Sequence, residues 1–126
     1  MTGRPKHGIV QEPRDFSEPT RELQQMMWHD AGLLRDAKGL MSADEAIRGM
    51  EDETLKGIGR PMVELRNLET VAALIVRSAL ARKESRGAHY RNDFPKRDDT
   101  QFGKHSLVSK GREVTFVDFQ RAETLT

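Results

Sequence analysis

The stretch from Arg82 to Pro95 has the highest density of groups that could do chemistry in this sequence. It contains four cations, two carboxylates, a histidine and a tyrosine, beside the predicted end of a long helix. Such groups can cap a helix, clamp an anion or dock another domain. On composition alone, helix capping with a solvated loop is the default interpretation. Anion or nucleic-acid contact and domain docking remain open.

Other patterns give little support for catalysis. Gly57 and Gly59 form a G-x-G, but Met62 stands where a dinucleotide-binding fingerprint needs a small residue, and no predicted strand precedes it. The four histidines form no i, i+4 pair. The absence of cysteine excludes disulfides, iron–sulfur ligation and thiol catalysis by this chain. We therefore predict no catalytic, cofactor-binding or metal-ligating residue here.

The bulk composition is that of a soluble single domain. In 126 residues, 21 Lys and Arg balance 20 Asp and Glu, for a net charge of +1. This balance provides no broad basic field of the kind that nucleic-acid binding requires. No apolar run approaches the ~20 residues that span a bilayer, and residues 1–10 hold no apolar stretch of signal-peptide type. We expect a cytoplasmic protein that binds neither nucleic acid nor membrane.

Apolar periodicity predicts three helices, over about residues 18–36, 43–56 and 61–86. The second is predicted to begin at a capping box formed by Ser42 and Glu45. The third begins at Pro61 and ends before Gly87, two residues that suit a helix start and stop. Its apolar arc is broad enough to contact both other helices.

Two further expectations concern side chains on these helices. Trp28 stands one position beyond the apolar stripe of the first helix, so we expect it at the edge of that stripe, against a neighbouring segment. Glu64 and Glu69 lie in the first half of the third helix, while Arg77 and Arg82 lie in its second half. This order complements the helix dipole.

The remaining segments complete a mainly α fold. Residues 1–16 are rich in Gly and Pro and predict a linker or arm before a domain of residues 17–126. Residues 89–100 predict an extended loop, and about 105–119 a β-hairpin, which must pack on the helices or on something outside the chain because a lone hairpin is marginal. The predicted fold is a three-helix bundle with a long central third helix, followed by an extended loop and a short β-hairpin.

A resemblance to a known family rests on two motifs. The segment Glu84 to His89, with Arg91, Asp93 and Pro95, resembles the ESRGAHxRxDxP stretch of the L-aspartate oxidase and succinate dehydrogenase/fumarate reductase flavoproteins. The first helix is similar to the LxxxMWxxxGxxR helix of that family. The resemblance covers about residues 20 to 110, with the motifs in the family's order and spacing.

The resemblance implies a part of an enzyme. In that family an FAD-binding domain and a capping domain precede a C-terminal helical domain, and the catalytic residues belong to the preceding part. We therefore expect FAD in the full-length protein but no cofactor, catalysis or activity in this chain alone. The resemblance implies docking or support by the motif residues Glu84, Ser85, Arg86, Gly87, His89, Arg91 and Asp93. The implied partners are the flavin-binding and capping domains of the same polypeptide, with self-association through an exposed docking face as a further expectation.

Within the family, we favour L-aspartate oxidase, which converts L-aspartate to iminoaspartate for NAD synthesis. The respiratory members tend to continue with a longer tail after this region. The alternatives are the same domain of a succinate dehydrogenase or fumarate reductase flavoprotein subunit, and a free-standing helical module that binds an anionic partner through Arg82 to Arg91.

Overall fold

The structure is a computed structural model, and it describes residues 17–57 and 59–118. The prediction of a linker or arm at residues 1–16 and the end of the predicted hairpin at Phe119 lie outside the described residues. The helices and strands are α1 Ser17–Ala31, α2 Ala37–Thr54, α3 Arg60–Ala81, α4 Asp99–Phe102, β1 His105–Leu107 and β2 Thr115–Val117. The predicted mainly α bundle followed by a short hairpin is confirmed.

The core lies where the three long helices meet. Helix α3 packs chiefly on α2, and α1 packs on both, as the broad apolar arc of α3 predicted. Each helix contributes fully buried apolar side chains, including Leu23 from α1, Leu40 and Ile47 from α2, and Leu65 and Val76 from α3. Alanines complete the core face of α3, and such small side chains let helix backbones approach closely.

The boundary between the first two helices differs from the prediction. Helix α1 ends at Ala31 rather than near residue 36, and α2 begins at Ala37 rather than at residue 43. The N-cap of α2 is Asp36, which has an extended backbone and accepts a hydrogen bond from the Gly39 N–H at 2.7 Å. Ser42 lies inside the helix and is exposed, so the predicted capping box is wrong.

Helix α3 is shorter than predicted. It ends at Ala81, not near residue 86, because Arg82 turns into an extended conformation with φ −85° and ψ 94°. Gly87 does not end the helix. It takes a left-handed conformation, φ +57°, in a turn closed by two backbone hydrogen bonds between Arg86 and His89. Likewise, α2 ends at Thr54 rather than at residue 56.

The hairpin is antiparallel, with Ser106 opposite Phe116. It packs on α4, a short helix that begins at Asp99, within the end of the predicted loop. The contact is edge-to-face between Phe102 and Phe116, with ring centroids 5.0 Å apart. The Arg82 guanidinium stacks over the Phe116 ring at 5.0 Å and so connects this unit to the end of α3. One side of the hairpin therefore packs on the chain itself through Phe116, although none of its strand residues is fully buried.

Candidate functional site

Arg91 is the centre of the predicted motif and is only 1% exposed. Its Nη1 donates to the carbonyl oxygens of Ala79 and Leu80 at 2.9 and 3.0 Å. These carbonyls belong to the last turn of α3, where no intrahelical donor remains for them. A positive charge at that position is also favoured by the helix dipole. Arg91 therefore caps α3 from ten residues beyond its end.

Asp93 extends this contact to the start of α2. It forms a bidentate pair with Arg91, with N–O distances of 2.8 and 2.7 Å, and accepts from the Ala37 N–H at 3.0 Å. The hydrogen bond from Arg91 lowers the pKa of Asp93 to about 2, against the smaller opposing effect of burial. The pair thus places a cation at the C-terminus of α3 and an anion at the N-terminus of α2, and both helix ends are stabilised.

Arg35 caps α1 in the same manner. Its Nε donates to the carbonyl oxygens of Ala31 and Gly32, each at 3.1 Å. The close passage of the chain at Gly32 needs glycine, because a Cβ there would collide with the carbonyl oxygen of Trp28. An isolated parallel β-bridge also joins the backbones of Arg35 and Arg91, so the end of α1 is bound to the motif loop.

His89 links the Arg35 side chain to the backbone at the end of α3. Its Nε2 lies 3.0 Å from the Arg82 carbonyl oxygen, and its Nδ1 lies 2.9 Å from Nη1 of Arg35. A carbonyl only accepts and a guanidinium only donates, so His89 must carry its proton on Nε2 and be neutral. Burial lowers the pKa of His89, and the positive charges of Arg35, Arg91 and Arg82 lower it further, while the bond to the Arg82 carbonyl opposes them.

Glu84 is the second fully buried ionic group of the motif. Its carboxylate accepts from Arg82 at 2.5 Å, from Arg86 at 2.9 and 3.2 Å, and from the Asp98 N–H at 2.8 Å. Burial alone would raise the pKa of Glu84, but these donors outweigh it and hold the pKa below its ordinary value. Arg86 continues the network to Asp99 at 2.6 Å.

Ser85 and Gly87 shape the loop that carries these groups. The Ser85 hydroxyl accepts from the Arg91 N–H at 2.9 Å and lies 2.8 Å from the Phe94 carbonyl oxygen, to which it donates. Gly87 provides the left-handed turn between Arg86 and His89. All seven predicted motif residues therefore lie in one network or in the loop that supports it.

Sequence reasoning missed two members of this network. Arg35 is the last residue of the helix motif and Asp99 lies in the predicted loop, but neither was predicted to contact the charged groups of the motif. The spacing of Arg35 after Gly32 was the available signal, because it matches the family helix, but nothing in the sequence showed that it reaches His89. The chemistry of the network is mutual neutralisation of guanidinium and carboxylate groups, and it presents no activated nucleophile.

An open cavity of about 360 Å³ lies beside the network, between α3 and the hairpin. Its walls include Arg35, Arg82 and His89, together with the apolar Leu74 and Ile75. Within residues 17–57 and 59–118, no group of three His, Cys, Asp or Glu side chains could hold a metal ion. No helix in the same ranges has the length and apolar character needed to cross a membrane.

Comparisons with known proteins agree on one family. Residues 20–124 match the sequence profile described as "Fumarate reductase flavoprotein C-term". The chain is 38% identical over 101 residues to an uncharacterized FAD-dependent oxidoreductase of Methanocaldococcus jannaschii, covering 75% of this chain and 18% of that protein. It is 38% identical over 105 residues to the fumarate reductase flavoprotein subunit of Mycobacterium tuberculosis, with the same two shares.

An L-aspartate oxidase is similar as well. That of Pseudomonas aeruginosa is 42% identical over 79 residues, covering 59% of this chain and 15% of the oxidase. Among solved structures, E. coli quinol fumarate reductase has a TM-score of 0.72 at 23% identity, covering 86% of this chain and 21% of that chain.

The chain belongs to the family of fumarate reductase flavoprotein C-terminal domains. The family predicted from the Glu84 to Pro95 motif and the first helix is thereby confirmed. The chain spans less than a fifth of the length of the curated relatives described above.

Proposed function

We propose that residues 17–126 are the C-terminal accessory domain of an FAD-dependent oxidoreductase. The domain supports the flavin-binding part of the same polypeptide, and the active site lies in that part. The proposal rests on one observation, which is that the charged side chains of the motif pair with groups of this chain itself. Glu84 and Arg91 are buried and hold the helix ends together, which is the arrangement of a rigid support and not of a reaction centre.

The oxidation of L-aspartate is the activity we favour for the whole protein, acting in the cytoplasm. The stretch of 42% identity to the Pseudomonas aeruginosa L-aspartate oxidase supports this choice. The alternative is a succinate dehydrogenase or fumarate reductase flavoprotein subunit, and the longer match to the Mycobacterium tuberculosis subunit favours it. The reading frame upstream of Met1 distinguishes them, because the active-site residues there determine the substrate.

The free-standing module for an anionic partner has less support. The three arginines of the Arg82 to Arg91 stretch already pair with carboxylates of the chain. A nucleic acid or other polyanion would have to compete with these buried or partly buried pairs. Gel-shift assays at low and high salt test this alternative, and salt-sensitive binding would favour it over the accessory domain.

The proposal predicts that the chain alone neither binds flavin nor catalyses the oxidation of a substrate. Purified chain should be colourless and should leave the absorbance spectrum of added FAD unchanged. It should also show no oxidation of L-aspartate or succinate. Tight, stoichiometric FAD binding by the isolated chain would contradict the proposed role.

A further inference from the structure

The cavity between α3 and the hairpin combines hydrogen-bond donors with an apolar wall. Its volume of about 360 Å³ lies at the lower end of the range of roughly 300–1,000 Å³ that is usual for small-molecule sites. Its lining includes polar and aliphatic side chains, namely Arg35, Ser78, Ser106, Leu74, Ile75 and Val108. We call this space the Arg35 cavity. A few convergent polar groups beside apolar side chains are typical of a pocket for a small molecule.

Exposed apolar side chains also occur at the end of α1, where they have no such polar neighbours. Trp28 is 75% exposed, so the expectation that it packs against a neighbouring segment of the chain is wrong for the described residues. It is not among the residues that line the Arg35 cavity. The cavity differs from such single exposed side chains because its aliphatic wall lies beside a charge.

Arg35 brings to the cavity a positive charge that no carboxylate of the described residues neutralises. Its Nε donates to the carbonyl oxygens of Ala31 and Gly32, and its Nη1 donates to the neutral His89. Within residues 17–57 and 59–118, its Nη2 has no acceptor. Burial lowers the pKa of Arg35, the direction expected of a guanidinium that has lost part of its water. An anion in the cavity would supply the missing acceptor and the missing charge.

Arg82, the other guanidinium at the cavity, already has partners for both terminal nitrogens. Its Nη1 donates to Glu84 and to the Phe102 carbonyl oxygen, and its Nη2 donates to the Lys104 carbonyl oxygen and to Ser106 Oγ. The charge left without a partner at the cavity is therefore that of one guanidinium. A single positive charge matches a monoanion better than a dianion, because every further buried charge needs its own partner.

Two serine hydroxyls add donors from other elements of the fold. Ser106 Oγ accepts from Arg82 at 2.9 Å, and no acceptor among the described residues takes the proton of Ser106. The Ser78 hydroxyl has no hydrogen-bond partner in the same part of the chain. Arg35 follows α1, Ser78 lies on α3 and Ser106 lies on β1, so one ligand would contact three parts of the fold. A carboxylate only accepts hydrogen bonds and so matches a set of donors.

We propose that the Arg35 cavity binds a small monocarboxylate with a branched aliphatic tail. The carboxylate accepts hydrogen bonds from Arg35, Ser78 and Ser106, and the tail packs on the aliphatic side chains of the cavity. This site goes beyond the supporting role proposed above, since it gives the domain a ligand of its own. A dicarboxylate fits less well, because its second charge would either lose water against the aliphatic wall or leave that wall uncovered.

Titration of the 126-residue chain with isovalerate, followed by the NMR signals of its backbone amides, tests the site. We expect saturable shifts of the Ser78 and Ser106 signals, with a Kd on the order of 1 mM. Isovaleramide has the same tail without the charge and should bind at least about tenfold more weakly. Acetate lacks the tail and succinate carries a second charge, so each should also bind more weakly than isovalerate.

Thermal unfolding provides a second readout, because a ligand that binds only the folded state stabilises it. At about ten times the Kd, isovalerate should raise the thermal midpoint by about 5 °C. Isovaleramide at the same concentration, with sodium chloride added to equal ionic strength, should leave the midpoint nearly unchanged.

Substitutions assign the binding to the cavity. Arg35→Gln should weaken isovalerate binding at least about tenfold, and circular dichroism checks its fold, since it also loses the cap of α1. Ser78→Ala removes a hydroxyl without a partner in the described chain, so it should keep the fold and weaken binding about threefold or more. Ser42→Ala is the matched control, because Ser42 is an exposed serine on α2. If Arg35→Gln does not fold, Ser78→Ala decides the test.

Each contrary result overturns a stated part of the proposal. Absence of saturable shifts far above the expected Kd would show that the cavity is no binding site. Equal affinity for isovaleramide would show that the charge of Arg35 is not recognised. Tighter binding of inorganic phosphate would assign the cavity to another class of anion. Unchanged affinity in Ser78→Ala and in a folded Arg35→Gln would place the binding elsewhere on the chain.

Discussion

The buried ionisable residues of this chain are of two kinds. Glu84 and Arg91 are buried with their opposite charges and with backbone partners. Within residues 17–57 and 59–118, Glu69 is buried with no cation in contact, and its Oε1 has no hydrogen-bond partner. Because an unpaired buried charge is costly, the two kinds respond to mutation and pH in opposite ways.

Replacing Arg91 by lysine should destabilise the domain by about 2 kcal/mol, part of the roughly 3–5 kcal/mol that the loss of one partner costs in a buried pair. A lysine ammonium cannot both pair with Asp93 through two bonds and reach the carbonyls of α3. Urea unfolding followed by circular dichroism measures the change. Arg97→Lys is the control, since the Arg97–Asp99 pair is more than half exposed and should lose less than about 0.5 kcal/mol. Equal losses would show that the capping geometry of Arg91 contributes nothing.

The contacts of Glu69 favour its protonated form. The Thr54 hydroxyl lies 2.8 Å from the Met50 carbonyl oxygen and 2.7 Å from the Glu69 carboxyl group, but it has one proton to donate. Both contacts are satisfied when Glu69 donates to Thr54 and Thr54 donates to Met50. Burial raises the pKa of Glu69, and the charge of Glu51 adds to it, while the charge of Arg66 opposes the shift. The Thr54 hydroxyl would lower the pKa only if it donated to Glu69, and its single proton is committed to Met50 in this arrangement.

Glu69→Gln should therefore stabilise the chain near neutral pH. The folded pKa lies above the ordinary 4.5, so the wild type is favoured below 4.5 and loses stability as pH rises through the folded pKa. The neutral glutamine avoids that loss, so its advantage should shrink as pH falls toward 4.5. Unfolding free energies measured across this range test the sign. The exposed Glu64→Gln serves as control, and an advantage of Glu69→Gln that does not vary with pH would rule out a raised pKa.

At the scale of the helices, stability depends on side chains that cap ends across long distances. Arg35 caps α1, Arg91 caps α3 and Asp36 caps α2. The first two reach helix carbonyls from outside the helix, and Asp93 joins α2 to α3. The loop after α1 and the loop after α3 are thereby held by hydrogen bonds to helix ends.

The start of α2 is a direct test of this arrangement. Asp36→Ala should cost about 1 kcal/mol, the usual value for a lost N-cap, because the Gly39 N–H would lose its acceptor. Ser42→Ala should change the free energy of unfolding by less than about 0.5 kcal/mol, since Ser42 is exposed within the helix. The reverse order in thermal or urea unfolding would place the helix start at residue 42 after all.

The sequence predicted the elements better than their ends. Apolar periodicity identified the long α3 and the hairpin, because the pattern depends only on residues within each of these segments. The end of α3 at Ala81 was not predictable from periodicity, since it depends on Arg91 reaching back to carbonyls eleven and twelve residues earlier. Ser42 with Glu45 matched a capping box, but Asp36 also has a capping side chain. The pairing of the neighbouring Arg35 with the motif loop was not visible in the sequence.

The same limit applies to the candidate site. The motif residues were identified from family resemblance, and the default interpretation of their charges as helix caps describes what Arg91 does. The fully buried state of Glu84 and the role of Arg35 depend on tertiary contacts. Glu69 was read as one of the acids that complement the helix dipole, whereas the structure places it in the core between α2 and α3.

At the scale of the whole molecule, the chain is a bundle with one end occupied by the ion-pair network and one apolar side left open. The network uses its charges internally, while apolar side chains on the outside of α1 and α3 remain exposed, namely Trp28, Leu68, Val71 and Ile75. This division fits a domain whose own fold is complete and whose outer surface is shared with a larger protein. Under the proposed function, the flavin chemistry belongs to another part of the larger protein.

FAD content in a chimeric oxidase tests this account most directly. The Pseudomonas aeruginosa L-aspartate oxidase is prepared with its matching segment replaced by this chain, and separately with that segment deleted, and bound FAD is measured after gel filtration. We predict that the chimera retains stoichiometric FAD and the deletion variant does not, because the domain supports the flavin-binding part. A chimera that retains no more FAD than the deletion variant would contradict the account.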